Sequence, residues 1–237
     1  MKFGIIGCGS IARNSFAPSL MNSAKTDLVA VCRRDLAGAQ AFAADFGGCR
    51  AYDSAQDLIA DPDIEAVIVS TPPDTHRDYT LAAAAAGKHV LCEKPMARNR
   101  GECREMIEAC QTAGVRLAVA YRRRVFPQVV EAKRLIAAGA IGKPVCVRTH
   151  YSGWGDLSSG AWQMEPGIGG ALMEMAVHRL EVLLNLADAE AVAVSAMIDT
   201  VHHDWQVDDT DAILLRFDDG RIGVHSTIMT SKPRRDF

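Results

Sequence analysis

The sequence predicts an α/β protein in two parts: a doubly wound parallel sheet over residues 1–121, then an α+β domain with an open, mostly antiparallel sheet over residues 122–237. The opening stretch, Met1-Lys-Phe-Gly-Ile-Ile-Gly-Cys-Gly-Ser-Ile-Ala12, runs an apolar strand straight into a glycine turn and a helix. Short buried strands then alternate with alanine-rich helices as far as Ala120, the pattern of βαβ units. Beyond Val145 the pattern changes to longer alternating strands around one apolar helix.

Composition sets the bounds. With 49% hydrophobic residues in a 237-residue chain there is material for real cores. A net charge of −3 and a pI near 6.2 give no electrostatic reason to expect nucleic acid or an anionic membrane as partner. The alanine run Ala82–Ala86 is far too short to span a bilayer. The chain enters its first strand at once, so no signal peptide is expected, and no internal repeat or low-complexity linker interrupts it. Seven cysteines without a C-x-x-C pair read as reduced, small apolar residues of a cytoplasmic protein.

In the first strand Phe3, Ile5 and Ile6 are core positions. Gly7 permits the tight turn that follows, Gly9 leaves room for close approach of a pyrophosphate, and Ala12 lets the helix pack on the strand. The helix start at Ser10, Ile11 and Ala12 offers free N–H groups to phosphates. These five residues are candidate contacts of a dinucleotide in a Rossmann domain. The first helix is expected from about Ile11 to Met21 and the second strand over Leu28–Cys32.

Arg33-Arg34-Asp35 follows that strand, at the position which selects the cofactor. A carboxylate there suits the ribose 2′-hydroxyl of NAD, whereas arginine suits a 2′-phosphate. Arg33, with Arg34, favours NADP. The alternative is a solvated charge pair with Asp35 turned toward the ribose of NAD.

A helix over Leu36–Phe46, a strand near Cys49–Tyr52, a helix over Ser54–Ala60 and a buried strand over Ile64–Val69 come next. Ser70-Thr71-Pro72-Pro73 is expected to be a turn with no helical option. Loops at the carboxyl ends of parallel strands face the ligand, so Thr71, Pro72 and His76 are candidates to line the cofactor. For His76, opening the helix Asp74–Ala86, a purely structural role stands beside that one. The strand Lys88–Cys92 delivers Glu93-Lys94-Pro95 to the same edge, where the proline holds the ammonium of Lys94 in a fixed place. A helix over Asn99–Ala113 and a strand over Val115–Ala120 complete the sheet.

The crossing to the second domain is expected at Tyr121-Arg122-Arg123-Arg124, where Arg122 contacts cofactor or substrate or is simply solvated. A helix from Phe126 to about Ala138 and a strand over Val145–His150 follow. The loop Tyr151–Gly170 holds Trp154 and Trp162, each read either as packing on a sugar ring or nicotinamide or as plugging the domain interface. In the apolar helix Ala171–Asn185, Glu174 and His178 are four apart and share a face. A buried face carrying a carboxylate and an imidazole needs a reason, and catalysis supplies one, because imidazole ordinarily titrates near neutral pH. Strands are expected over Ala191–Ile198, Thr210–Phe217 and Arg221–Met229, with a hairpin at Asp218-Asp-Gly220. His202-His203-Asp204 lacks ligand spacing and reads as a surface loop, so no metal is expected.

Taken together, Gly7-x-Gly9-x-x-Ala12, Thr71-Pro72-Pro73 with His76, Gly87-Lys-His-Val-Leu-Cys-Glu93-Lys94-Pro95, and Gly169-Gly170 with Glu174 and His178 resemble the glucose-fructose oxidoreductase and inositol dehydrogenase (Gfo/Idh/MocA) family over the whole chain. The resemblance implies a nicotinamide-dependent oxidoreductase acting on sugars, cyclic polyols or related alcohols. It implies that Lys94 polarises and shuttles the proton, that His178 is the catalytic histidine, and that Glu174 orients it or accepts a substrate hydroxyl. Relatives usually carry aspartate at the position of Glu174, which bears on substrate identity.

The function expected is hydride transfer between NADP(H), or alternatively NAD, and a sugar-like carbonyl or alcohol, with Lys94 and His178 converging across a crevice and Glu93 among the cofactor contacts. A non-catalytic NADP(H)-binding protein and a family-related nicotinamide-dependent glycoside hydrolase are the alternatives. Family members continue beyond the position of Phe237, so the second sheet is expected to be incomplete, and a homo-oligomer would form through that sheet if complete.

Overall fold

The computed structural model describes residues 1–155 and 162–236. The chain divides into two compact units, Met1–Ala120 and Tyr121–Phe237.

In the first unit, strands β1 (Lys2–Ile6), β2 (Asp27–Cys32), β3 (Arg50–Tyr52), β4 (Ala66–Val69), β5 (His89–Cys92) and β6 (Leu117–Val119) form one sheet in the order β3-β2-β1-β4-β5-β6. Every neighbouring pair is parallel. Parallel neighbours need crossover connections, and helices α1 (Ala17–Met21), α2 (Leu36–Asp45), α3 (Ala55–Ala60), α4 (His76–Ala85) and α5 (Arg100–Thr112) supply them. Burial on both faces explains why β4 is apolar at all four positions rather than alternating. Ile5, Val31 and Ile68 pack with Phe42 on one side, while Ile6, Val67 and Val69 pack with Leu58 and Met106 on the other. Each such side chain, fully buried, contributes about 1.5–3 kcal/mol. Side-chain caps start the helices: Asp35, Ser54 and Asn99 accept from the amides of Gly38, Asp57 and Glu102.

Two local departures from the sequence reading have simple causes. Pro73, read as having no helical option, opens a single 3₁₀ turn, Pro73–Thr75, and the α-helix expected from Asp74 starts at His76. A proline at the first helical position forfeits no hydrogen bond, because that N–H has no intrahelical acceptor. The first helix begins with a π-helical turn, Ala12–Phe16, before α1.

In the second unit, β7 (Cys146–Trp154), β8 (Ala191–Asp199), β9 (Thr210–Phe217), β10 (Ile222–Ile228) and β11 (Thr230–Asp236) form a sheet in the order β11-β7-β10-β9-β8. Only the β10–β7 pair is parallel. β11 lies past Met229, the end of the last strand expected from the sequence, and on the sheet edge the missing N–H of Pro233 is tolerated. Helix α6 (Pro127–Ala137) packs on α7 (Val177–Ala187), and α7 covers one face of the sheet, where Leu183 and Ala187 meet Phe217, Val147 and Leu215. Gly223 permits that approach, since a Cβ there would lie 2.9 Å from Leu183 Cδ2. The opposite face carries Met197, Leu214 and Ile222 exposed. Of the expected loop 151–170, residues 151–154 extend β7 and Trp162–Met164 form a 3₁₀ turn, while 156–161 lie outside the described residues.

Candidate active site

In the first sheet, β2 and β3 lie to one side of β1 and β4, β5 and β6 to the other, so the connections leaving β1 and β4 diverge. A crevice at the carboxyl ends of the strands follows from that reversal. Bonds that continue the ladder bring the candidate loops to this edge: Gly7 N to Cys32 O (3.0 Å), Ser70 N to Ile6 O (2.8 Å), Glu93 N to Val69 O (2.9 Å) and Ala120 N to Cys92 O (2.8 Å). Gly7 has φ +100°, and a Cβ on it would stand 2.4 Å from the Ser70 carbonyl oxygen. Only glycine fits there, for reasons of both conformation and space. Gly9 differs: nothing lies within 4 Å of where its Cβ would be, so the backbone is open to close approach. Ser10 accepts from the Asn14 amide (3.0 Å), Ile11 is 44% exposed at the rim, and Ala12 is fully buried beneath the helix start.

At the end of β2, Arg33 N donates to Tyr52 O (3.1 Å), while the side chains of Arg33 and Arg34 are exposed. Asp35 does not stand free beside them. Its carboxylate accepts from Gly38 N through Oδ2 (3.1 Å) as the cap of α2, while the residue stays exposed. The Arg33 guanidinium lies over the same turn, 3.0 Å from where a Gly38 Cβ would be. Within the glycine turn, Cys8 donates to Cys32 O (3.4 Å), and burial above all pushes its thiol up to about 12, which keeps it protonated.

The loops after β4 and β5 hold the next candidates. Thr71 is half-buried and Pro72 exposed; the Thr75 hydroxyl donates to Pro72 O (2.8 Å) and lies 2.7 Å from Thr71 Oγ1. His76 corrects an expectation. It has no exposed surface, so it does not line a cofactor site; it lies behind the loops. Its Nδ1 is 2.9 Å from the Pro95 carbonyl oxygen and its Nε2 2.8 Å from that of Thr71. Burial lowers its pKa, while the facing carbonyls oppose that shift by accepting from the ring nitrogens. Glu93 and Lys94 are half-buried, and Glu93 Oε2 accepts from Lys94 N (2.8 Å).

Arg122, Trp162, Glu174 and His178 belong to the second unit. Arg122 is exposed in a 3₁₀ turn, Arg122–Val125, and Trp162 is half-buried. Glu174 sits in a π-helical turn, Leu172–Ala176, that runs into α7, where His178 follows. A four-residue step falls just short of a full π turn and just beyond a full α turn, so the two side chains still share a side. Both are half-buried. The start of this helix is pinned by one residue: Asp208 accepts from Ala171 N through its main-chain oxygen (2.8 Å) and from Leu172 N through Oδ2 (2.7 Å). Gly170 makes that possible, since a Cβ there would stand 2.0 Å from Asp208 Oδ1.

Sequence reasoning missed this residue and its neighbours. Asp209 accepts from the amides of Val201, His202 and His203, each at 2.9 Å; burial opposes its charge, but these bonds and the Thr210 hydroxyl prevail and hold it down to about 2. The loop at His202-His203-Asp204 is thus ordered from within, with His203 stacked on Trp205 at 3.9 Å. Beneath the helix, His225 reaches Thr149 Oγ1 and Thr227 Oγ1, both at 2.9 Å, and burial pushes it down to about 4. Asp211, also buried, is pushed up to about 6 chiefly by desolvation. The run Asp208-Asp-Thr-Asp211 opening a strand was the available signal. Among the described residues, no group of three or more His, Cys, Asp or Glu is placed to hold a metal, and no helix is long and apolar enough to cross a membrane.

Strand order and glycine turn define a Rossmann domain, the dinucleotide-binding class of α/β protein. Residues 1–121 match the oxidoreductase family model with an NAD-binding Rossmann fold, and residues 129–237 match the GFO/IDH/MocA C-terminal domain. The chain belongs to the GFO/IDH/MocA oxidoreductase family. It is 34% identical over 199 residues to 1,5-anhydro-D-fructose reductase of Ensifer adhaerens, an overlap of 82% of this chain and 60% of that one. It is 32% identical over 237 residues to trans-1,2-dihydrobenzene-1,2-diol dehydrogenase of Mus musculus, covering 98% of this chain and 68% of the relative. A solved levoglucosan dehydrogenase, in complex with NADH and L-sorbose, superposes with a TM-score of 0.91 at 28% identity, over 100% of this chain and 69% of that one. The chain thus spans 60% of the length of the first of these relatives.

Proposed function

We propose that this chain is the cofactor-binding and catalytic part of an NADP(H)-dependent oxidoreductase that acts on a sugar, polyol or related small carbonyl or alcohol. The observation that carries the cofactor preference is the pairing at the end of β2: Arg33 and Arg34 exposed, with the nearby Asp35 carboxylate engaged in capping α2. Guanidinium groups match a 2′-phosphate, and one oxygen of the Asp35 carboxylate is already engaged in the cap. Gly7, Gly9, Ser10 and Ile11 would hold the pyrophosphate, with the fully buried Ala12 packing the helix start beneath them rather than touching it, and Thr71, Pro72, Glu93, Arg122 and Trp162 as further contacts. The bound nicotinamide supplies the hydride donor or acceptor. Lys94 holds a charged donor against the substrate oxygen as charge develops there, and His178 takes or returns the proton, oriented by Glu174. The dehydrogenase and reductase relatives favour a CH–OH substrate. All seven cysteines are free, in keeping with a reducing, cytoplasmic setting. A homo-oligomer would form through the second sheet if that sheet is complete.

Separate fluorescence titrations with NADPH and NADH test the cofactor preference. Wild type is expected to bind NADPH about 10-fold or more tighter, as one charged contact of about 1.5–3 kcal/mol implies, and Arg33→Asp to erase or invert the ratio. A preference for NADH that Arg33→Asp leaves alone would remove it. NADPH oxidation over a panel of aldoses, ketoses and dicarbonyls tests the chemistry. Lys94→Ala and His178→Ala are each expected to lower turnover by about 10²–10⁴-fold while NADPH still binds.

A further inference from the structure

His76, expected to line the cofactor, has no exposed surface, and its position suggests a different task. It opens α4, yet its ring is turned away from the helix into a fully buried place between two loops. One ring nitrogen faces the carbonyl of Thr71, in the loop after β4, and the other faces the carbonyl of Pro95, in the loop after β5. The first loop carries two candidate cofactor contacts, and the second carries Lys94, whose own carbonyl is bonded to Pro95. No strand pairing does this work, because the β4–β5 ladder ends at Val69 and Cys92 and its last continuation is Glu93 N to Val69 O. Beyond that point the imidazole spans the two loops.

Each carbonyl is an acceptor within 2.8–2.9 Å of a ring nitrogen, so an N–H donated to it ties that loop to the ring. The ring is rigid and closely packed, so both distances are set together. Moving one loop moves the ring, and the ring moves the other loop.

We propose, resting on the oxidoreductase reading above, that His76 is a positioning residue: a clasp that fixes the Thr71-Pro72 loop and the Lys94-Pro95 segment to each other, so that the lysine ammonium is held in place relative to the bound cofactor. It touches neither substrate nor cofactor. Its effect on the reaction passes through Lys94, and its effect on cofactor binding through Thr71 and Pro72.

The test compares His76→Phe, which keeps the ring volume and removes both polar atoms, with His76→Gln, whose amide keeps N–H donors of similar reach. In the full chain, amide hydrogen exchange is expected to accelerate together in segments 70–73 and 93–97 of the Phe variant, with α4 beyond its first turn unchanged, and to return toward wild type in the Gln variant. Turnover in the Phe variant should fall by about 10–100-fold, the cost of a small misplacement of a reacting group, with substrate KM changed less than about 3-fold. NADPH affinity should weaken several-fold, and Gln should recover most of both losses. Acceleration in one segment alone, or wild-type exchange and turnover in a folded Phe variant, would overturn the clasp. If the Phe variant does not fold, His76→Gln decides: near-wild-type protection of both segments supports the clasp, and unprotected loops in a folded protein refute it. Exchange is read without turnover, so a protein inactive toward every substrate, yet showing the paired acceleration, would refute the oxidoreductase reading and leave the clasp standing.

Discussion

At the scale of single residues, the inner face of the second sheet shows how burial sets charge. Asp211 Oδ1 accepts from Thr227 N (3.1 Å), but Oδ2 is buried with no hydrogen-bond partner among the described residues. An ionised carboxylate so placed is expensive, and the group responds by holding its proton up to about pH 6; Asp208, raised by burial in the same way, adds a like charge nearby. The sign of the linkage follows. Between the ordinary carboxylate value near 3.8 and about 6, the unfolded chain has lost this proton and the folded chain has kept it, so this group's contribution to stability declines as pH rises through that window. Asp211→Asn keeps the acceptor for Thr227 and cannot ionise. Its stability relative to wild type should therefore climb by about 1–3 kcal/mol from pH 4 to pH 8, read from denaturant midpoints at each pH. His225, buried beside it with its pKa pushed down, gives the opposite slope. A flat difference would mean that Asp211 is ionised throughout.

Among elements, the two helices that carry the candidate chemistry share a feature: each opens with a π-helical turn, Ala12–Phe16 before α1 and Leu172–Ala176 before α7. Such turns widen the helix and recur at functional sites because they re-aim side chains without ending the element. The second of them is anchored by Asp208, which satisfies two of the amides that any helix start leaves without partners. Asp208→Ala should speed exchange of the Leu172 amide and cost about 1 kcal/mol, as loss of a cap does, while Asp208→Asn, which keeps the side-chain acceptor, should recover most of that. Equal protection in both variants would assign the anchoring to the backbone bond alone. Asn99 caps α5 through the same chemistry, and there the cap residue stands directly before the helix in sequence. Asp208 does so from 36 residues away, which no local pattern reveals.

For the whole molecule, the second sheet presents an apolar surface that its own helices leave open. Cross-strand register puts Met197 opposite Ala212 and Leu214 opposite both Ser195 and Val224, on the face turned away from α7. Met197 is 83% exposed and Leu214 53%. Contiguous apolar surface of this kind marks association. Sedimentation velocity is expected to show an oligomer that Met197→Lys with Leu214→Lys converts to monomer, with the same NADPH affinity, since neither residue is among the proposed cofactor contacts. A wild-type monomer over the micromolar range would assign this face to another partner.

Local signals carried much of the chain. Apolar runs, glycine turns and capping residues fixed the parallel sheet and its helices, because each depends on neighbours a few positions away. Gly7 was legible for the same reason: a strand, a turn and a helix meet at one residue. The edge strand β11, the commitment of Asp35 to α2, the bridging of two loops by His76 and the long-range cap by Asp208 were decided by tertiary structure. A side chain's partner across a fold depends on distances that sequence spacing does not contain. The sequence determined which chemical groups this protein has and the elements that carry them; folding decided which of those groups face a ligand and which hold the others in place, because burial and hydrogen bonding are properties of the packed chain.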